Sequence, residues 1–343
     1  MKSLYIWLLI TPIAIIATIV IILLATEWHP EPQETISHIP YSQTTPLPDS
    51  LTVVSWNIGY AGLGDDMDFF YEGGEKTRTS QQRTEQNLDE IISWLKSVDG
   101  TDFILLQEVD RNSKRSYYID QYLRITEALP HYYAAWAYNY ISPYVPIPIR
   151  DPMGRVEAGI MTLSKYPIAR SIRYQYPSIK ALPTRLFDLK RCMLTCQIQL
   201  PNGQILSINN THNSAFNTAE SRSNEITHIY EILSSQKLSI TSGDWNATPP
   251  KYTPSPEALN DPYFQPIPLD HSDIPPHHTV AYDPKTPSMR YLDKAYDPHT
   301  STHCIVDFAV VNNYFQITDY ETINLYFKNS DHNPSRLIVK KEQ

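Results

Sequence analysis

The sequence predicts an α/β protein built as a layered sandwich of β-strands with helices outside it. Short β-like runs recur along the chain, only a few amphipathic helical patterns lie between them, and the apolar content is ample for a large core. Hydrophobic residues make up 41% and charged residues 19% of the chain, with 24 tyrosines, which excludes wholesale disorder. A length of 343 residues suits one large or two ordinary domains.

The β-like runs fall at 52–58, 102–109, 132–138, 158–163, 191–200, 204–211, 238–242, 305–311 and 336–339. Helical spacing of i, i+3, i+4, i+7 joins Leu88, Ile91, Ile92, Leu95 and Val98, and the same period joins Tyr118, Tyr122, Ile125 and Leu129. It recurs at Ile226, Ile229, Tyr230 and Leu233. Two stretches stand apart: 60–83 is a polar, Gly-containing insertion after the first run, and 247–303 holds twelve prolines. Loops of that length in a compact domain are functional lids or disordered segments.

Residues 4–25 form a nearly unbroken apolar run, interrupted only by Thr11, Pro12 and Thr18 and long enough to cross a bilayer. It exceeds the roughly 7 to 15 residues of a cleavable signal core, and no clear small-x-small site follows it. Lys2 precedes the run and Glu27, Glu31 and Glu34 follow it, which orients the N-terminus inward and the remaining chain outside the cytoplasm. The expected organisation is therefore a single-pass membrane anchor over 1–25 and a Pro/Ser/Thr-rich linker over 26–50. An extracytoplasmic domain follows over 51–343, with the Pro-rich insertion at about 247–303.

Lys plus Arg 28 against Asp plus Glu 37 gives a net charge of −9, which argues against holding nucleic acid by bulk positive charge. The ten glycines assemble no dinucleotide fingerprint, P-loop or nucleophile elbow. Cys192, Cys196 and Cys304 are an odd count with poor zinc spacing. On a strand, Cys192, Leu194 and Cys196 share one face, so core packing is their expected role.

Polar residues end or interrupt the apolar runs: Trp56-Asn57, Gln107-Glu108, Thr211-His212, Gly243-Asp244-Trp245-Asn246, Val306-Asp307 and Ser330-Asp331-His332. One carboxylate at a strand end is ordinarily a cap or a turn former. So many, several in otherwise buried-looking runs, need another account, because unpaired buried charge costs several kcal/mol per group. A shared divalent cation and a phosphate would satisfy them together. Mg²⁺ takes oxygen ligands, keeps several waters and is held by one or two carboxylates plus substrate phosphate oxygens, a role that suits Glu108 with Asn57. Phosphoester hydrolysis also needs a group that deprotonates and aims water, and donors for developing charge. Asp244, Asn246, His212 and His332 are of those types.

From about Leu51 onward the chain resembles the endonuclease/exonuclease/phosphatase superfamily. The resemblance rests on Ser55-Trp56-Asn57, Leu106-Gln107-Glu108-Val109, Gly159 through Leu163-Ser164-Lys165-Tyr166-Pro167, Asn210-Thr211-His212, Gly243-Asp244-Trp245-Asn246, Val306-Asp307-Phe308 and Ser330-Asp331-His332, in the family's order. It implies a four-layer αββα sandwich of two mixed β-sheets with a metal-dependent hydrolytic site at one end. Carried over residue by residue, Glu108 binds Mg²⁺ or Mn²⁺ with Asn57 beside it and Asp331 supporting the metal side. Asp244 orients or deprotonates water, Asn246 holds a phosphate oxygen, and Asp307 keeps His332 protonated and aimed at the phosphate. His212 contacts the phosphate or assists the leaving group. It stands where apurinic endonucleases carry tyrosine, which places the chain nearer the deoxyribonuclease and sphingomyelinase branches.

Arg155, Arg191 and Arg290 are the candidates for gripping an anionic substrate, with a solvated surface as the alternative for each. Tyr71, Tyr291 and Tyr296 suit packing better than stacking on a base, and His277-His278 suits a polar loop. The function expected is hydrolysis of a phosphodiester, of nucleic acid or of a phospholipid headgroup, by direct attack of water. A catalytically silent binding module on the same fold is the alternative from another class, but it would have lost one of the acids, and none is lost. No protein partner is implied.

Overall fold

Two parallel strand pairs, each bridged by a helix, organise the molecule. The computed structural model describes residues 2–38, 44, 46–177, 180–182 and 184–342, without the side chains of 2–9, 19 and 38. One sheet has seven strands in the order β1 (Gln33–His38), β6 (Arg170–Gln175), β7 (Cys192–Gln199), β8 (Ile205–His212), β9 (Leu238–Asp244), β15 (Asp307–Asn312) and β12 (His278–Ala281). The other has six, in the order β16 (Phe315–Thr322), β17 (Ser335–Lys341), β2 (Ser50–Asn57), β3 (Phe103–Asp110), β5 (Gly154–Ser164) and β4 (Tyr133–Val145). Two short ladders, β10 (Ala247–Thr248) with β11 (Ile267–Pro268) and β13 (Met289–Arg290) with β14 (His303–Cys304), lie outside the sheets.

β2 pairs with β3 in parallel, as β8 does with β9, and the remaining pairs within the two sheets are antiparallel. A parallel pair requires a crossover. Helix α2 (Gln81–Ser97) supplies the first and α4 (Ala219–Ser235) the second, and each starts at a side-chain cap, Ser80 and Thr218 respectively. Helix α3 (Gln121–Ala128) begins three residues later than the apolar period suggests. Asp120 caps it, and Tyr118 has a left-handed φ of 61° that no helix tolerates.

Strand alternation divides the side chains between two faces. Leu51, Val53, Phe103 and Leu105 of the six-stranded sheet meet Cys192, Leu194, Cys196 and Ile208 of the seven-stranded sheet in the central core. Cys192, Leu194 and Cys196 thus share the buried face expected of them. Val54, Trp56, Ile104 and Leu106 face outward, beneath Leu88, Ile91 and Leu95 of α2. Ile226, Ile229 and Leu233 of α4 cover Met193, Phe308 and Val310 on the opposite side. The four αββα layers follow, each such buried side chain stabilising by roughly 1.5–3 kcal/mol relative to exposure.

Within the expected linker, Gln33–His38 forms an edge strand on β6, with Glu34 3.6 Å from Arg173. Within 247–303, β12 becomes the opposite edge of the same sheet, and Phe264, Met289 and Tyr291 bury against Cys304 and Val306. The apolar N-terminal run forms helix α1 (Lys2–Ala25). Among the described residues no helix is long and apolar enough to cross a membrane.

Gly243 marks the closest approach beneath the site. A Cβ there would lie 2.1 Å from the Thr211 carbonyl oxygen of the neighbouring parallel strand. Gly243→Ala is expected to cost about 1–3 kcal/mol, as overpacking does, and to lower Tm in thermal unfolding. An unchanged Tm would contradict this packing.

Candidate active site

The ends of the parallel strands deliver the polar residues to one place. Register sets Asn57 opposite Gln107 and His212 opposite Asp244, so both pairs stop at the same end of the sandwich. Ligands of α/β sheets bind at the carboxyl ends of their strands. Asn57, Glu108, Arg191, His212, Asp244, Asn246, Asp331 and His332 line a single cavity of about 550 Å³ there.

Glu108 reaches it through a bulge. The ladder between β3 and β5 slips between Leu106 and Val109, and Glu108 takes a left-handed φ of 54°. Such a bulge re-aims a side chain next to a site. Beneath it Asn210 donates to the Leu106 and Met161 carbonyls at 3.1 and 2.9 Å, and Gln107 donates to Asn210 at 2.8 Å, which ties the two sheets together.

Asp244 is the hub. Its Oδ2 accepts from Asn57 Nδ2 at 3.0 Å and lies 3.3 Å from His212 Nε2 and 3.8 Å from His332 Nε2, while its Oδ1 accepts from the Asn246 backbone N–H at 3.0 Å. Burial alone would raise this carboxyl, but His332, His212 and Arg191 outweigh it and hold it far below the usual carboxylate range. Asp244 is therefore ionised. Asn246, at φ 47°, spends one amide N–H on the Asn213 carbonyl at 2.9 Å and keeps a second N–H.

His332 Nδ1 lies 2.7 Å from Asp307 Oδ2. Burial would depress the imidazole, but Asp307, Asp244 and Asp331 push it well above its ordinary value. It is an imidazolium with its free edge toward Asp244. Asp307 sits behind it, oriented by Ser288 Oγ, which accepts from the Asp307 backbone N–H at 3.0 Å. His212 is shifted the other way, by burial first and then by the Arg191 guanidinium, which lies against both its ring nitrogens.

Donor chemistry separates the two groups of side chains that could hold a metal. Asp244, Asp307 and His332 offer ligand atoms within 4.8 Å of one another. Within that set, however, His332 Nδ1 and Asp307 Oδ2 already engage each other at 2.7 Å. Glu108 and Asp331 suit a dication better. Gly59 lies between their supports, its N–H donating to Asn57 Oδ1 at 3.0 Å and its Cα so placed that a Cβ would come 2.8 Å from Asp331 Oδ1. Asp331 is pushed up to about 6, by burial first, with Glu108 adding to it against His332. A buried carboxylate and a half-buried one that raises it across a cavity are the oxygen donors that Mg²⁺ or Mn²⁺ takes.

Of the three arginines singled out in the sequence, Arg191 reaches the cavity. Its Nη2 lies 4.0 Å from Glu108, because it precedes Cys192, which pairs with His212. Arg155 is exposed, off the cavity, and paired with Glu157. Arg290 is fully buried and donates to the Gly64 and Met67 carbonyls at 2.6 and 3.0 Å, pinning the 60–83 insertion to the Pro-rich one. Its chemistry is structural. Sequence reasoning overlooked Arg115, which lines the cavity and forms a two-pronged pair with Asp110 at 2.9 and 3.1 Å over the Tyr60 ring. The period-two spacing of Glu108 and Asp110 was the available signal.

The fold and site define a two-sheet αββα protein with an acid, amide and imidazole cluster at one end. The chain belongs to the Endonuclease/Exonuclease/phosphatase family, whose sequence pattern matches residues 54–332, and members of that family hydrolyse phosphoester bonds. Among solved structures, an endonuclease/exonuclease/phosphatase from Beutenbergia cavernae is 18% identical with a TM-score of 0.60, covering 86% of this chain and 72% of its own. D. rerio TDP2 complexed with single-strand DNA product is 14% identical with a TM-score of 0.54, covering 86% of this chain and 100% of its own. ANGEL2, a 2',3'-cyclic phosphatase in complex with adenosine-2',3'-vanadate, is 14% identical with a TM-score of 0.54, covering 86% of this chain and 96% of its own. At these identities the likeness is one of fold. No curated protein matches the chain by sequence.

Proposed function

We infer that the protein is a phosphodiesterase dependent on Mg²⁺ or Mn²⁺ that hydrolyses its substrate by direct attack of water. The observation that carries this is the convergence of Asn57, Glu108, Asp244, Asn246, Asp331 and His332, from segments remote in sequence, on one cavity. The DNA product bound to TDP2 and the adenosine vanadate bound to ANGEL2 support a phosphodiester as substrate class.

Glu108 and Asp331 with Asn57 would hold the dication, whose charge would polarise the phosphoryl group. Asp244, ionised and steered by Asn57, accepts the proton of the attacking water. The His332 imidazolium, kept charged by Asp307, and the remaining Asn246 N–H donate to the phosphoryl oxygens as charge develops. His212, 3.7 Å from Glu108 and 3.3 Å from Asp244, is the group we assign to the leaving oxygen. Hydrolysis of bis-p-nitrophenyl phosphate by the full chain is expected to stop in EDTA and return with Mg²⁺ or Mn²⁺. Activity that survives EDTA would remove the metal from the reaction.

Two pH effects follow. Proton and cation compete for Asp331, so Mg²⁺ affinity is expected to weaken as pH drops through about 6 and to level off above it; calorimetric titration across that range checks this, and a flat profile would contradict it. His332 acts in its charged form, so kcat is expected to fall as pH rises past its elevated value. In His332→Gln that alkaline limb disappears.

Residues 4–25 anchor the chain in a membrane with the catalytic domain outside the cytoplasm. Support comes from the apolar run itself and from the exposed Ile13, Ile16, Ile21 and Ile22 of α1. Alkaline carbonate extraction of membranes is expected to leave the protein in the pellet; release into the supernatant would refute anchoring.

A further inference from the structure

The cavity extends well past the reacting groups, and its far walls are apolar. Leu63, Tyr140, Ile147, Met153, Phe187 and Phe216 line it together with Asp244 and His332. They come from the 60–83 insertion, the end of β4 and the chain beyond it, the segment before β7 and the loop after β8. A volume of about 550 Å³ falls within the roughly 300–1,000 Å³ of small-molecule sites.

Three properties of this space decide what it takes. The aliphatic, thioether and phenyl groups of these walls offer nothing to the hydrogen-bonding edges of a nucleobase, and Tyr140 already donates its hydroxyl to the Phe187 carbonyl at 2.9 Å. The cationic side chains that line it are each engaged by an acid: Lys180 with Asp188 at 2.8 Å, Arg115 with Asp110, and Arg191 near Glu108. A polynucleotide is tracked by a run of uncommitted cations, which this wall does not provide. Lastly, the wall is tied to the apolar helix. Glu27, two residues beyond the end of α1, has a buried side chain that pairs with Arg185 at 2.8 Å and Lys190 at 3.8 Å, on the stretch that also carries Thr184, Phe187 and Asp188 into the cavity. Trp28 packs edge-on to Tyr138 and beneath the Arg173 guanidinium. The chain therefore passes from its most apolar segment directly onto the cavity wall.

We propose that the cavity holds the hydrocarbon portion of a membrane lipid phosphodiester, with its phosphate presented to Asp244 and His332. This deepens the phosphodiesterase reading and rests on it. In the reaction the oxygen of water bonds to phosphorus, the bond from phosphorus to the leaving oxygen breaks, and that oxygen takes a proton, so water is the only co-reactant.

The test uses the full chain reconstituted with Mg²⁺ in vesicles of phosphatidylcholine, phosphatidylethanolamine and phosphatidylglycerol. Release of water-soluble phosphate esters is compared with cleavage of the matching chain-free glycerophosphodiesters, of a single-stranded oligonucleotide and of bis-p-nitrophenyl phosphate. The lipids are expected to be cleaved at least about tenfold more efficiently than their chain-free counterparts, the equivalent of burying roughly two methylenes. Ile147→Asp combined with Phe216→Asp is expected to bring that ratio toward one. Both side chains are partly exposed, at 38% and 45%, so the fold tolerates the change, as an unaltered Tm would verify. Equal or better cleavage of the chain-free diesters or of the oligonucleotide, or a ratio unmoved by the double substitution, overturns the lipid proposal and leaves the phosphodiesterase reading standing. Cleavage of none of the four substrates overturns that reading and the lipid proposal with it.

Discussion

Asp244→Asn is expected to lower kcat for bis-p-nitrophenyl phosphate by about 10³-fold, within the roughly 10²–10⁴-fold that a lost general acid–base group costs. The size follows from the position of Asp244. Its two oxygens already receive Asn57 Nδ2 and the Asn246 backbone N–H, each at 3.0 Å, and His212 and His332 face it as well, so it is an ionised carboxylate surrounded by donors. An amide has nearly the same shape but cannot take a proton from water, and it turns one donor–acceptor contact into a donor–donor contact. The stability cost is about 1–3 kcal/mol, that of an unsatisfied buried polar group. Circular dichroism should show a folded protein with a lower Tm and KM little changed. More than a tenth of wild-type kcat in the folded variant would dismiss Asp244 as the base.

Glu108→Gln is expected to act through the cation instead. Even supporting groups around a metal site typically cost 10–100-fold in affinity when removed, so loss of the proposed charged ligand is expected to weaken Mg²⁺ binding by about 100-fold or more. Activity at limiting Mg²⁺ falls in proportion and recovers in part as Mg²⁺ is raised, a rescue that Asp244→Asn does not show. Gln keeps the size of Glu at this bulge, and circular dichroism is expected to show the fold intact. Unchanged Mg²⁺ dependence in Glu108→Gln would place the cation elsewhere.

The sequence was most legible where burial imposes a pattern. Both crossover helices and the central strands carry apolar residues at fixed spacing because each is covered on both sides or along one stripe, and β2, β3, β8 and β9 lie within a residue or two of their expected positions. β1, β12 and β16 lacked that signal. They are sheet edges with half-exposed side chains, and β1 is drawn from a Pro-rich stretch whose composition reads as a tether. The acids at strand ends stood out because a buried charge without a partner is costly, and most of them meet at the cavity. The arginines did not, since a guanidinium is directed by the fold and not by its neighbours in sequence. Arg191 reaches the site through strand register, Arg290 is spent on the carbonyls of a distant insertion, and Arg155 finds Glu157 at the surface.

The most direct measurement is a crystal soaked with Mn²⁺, with anomalous scattering collected at the manganese edge. A peak is expected between the carboxylates of Glu108 and Asp331, within coordination distance of Asn57, and is expected to be lost in Glu108→Gln. No peak at that position, or one seated on Asp244, Asp307 and His332, would contradict it.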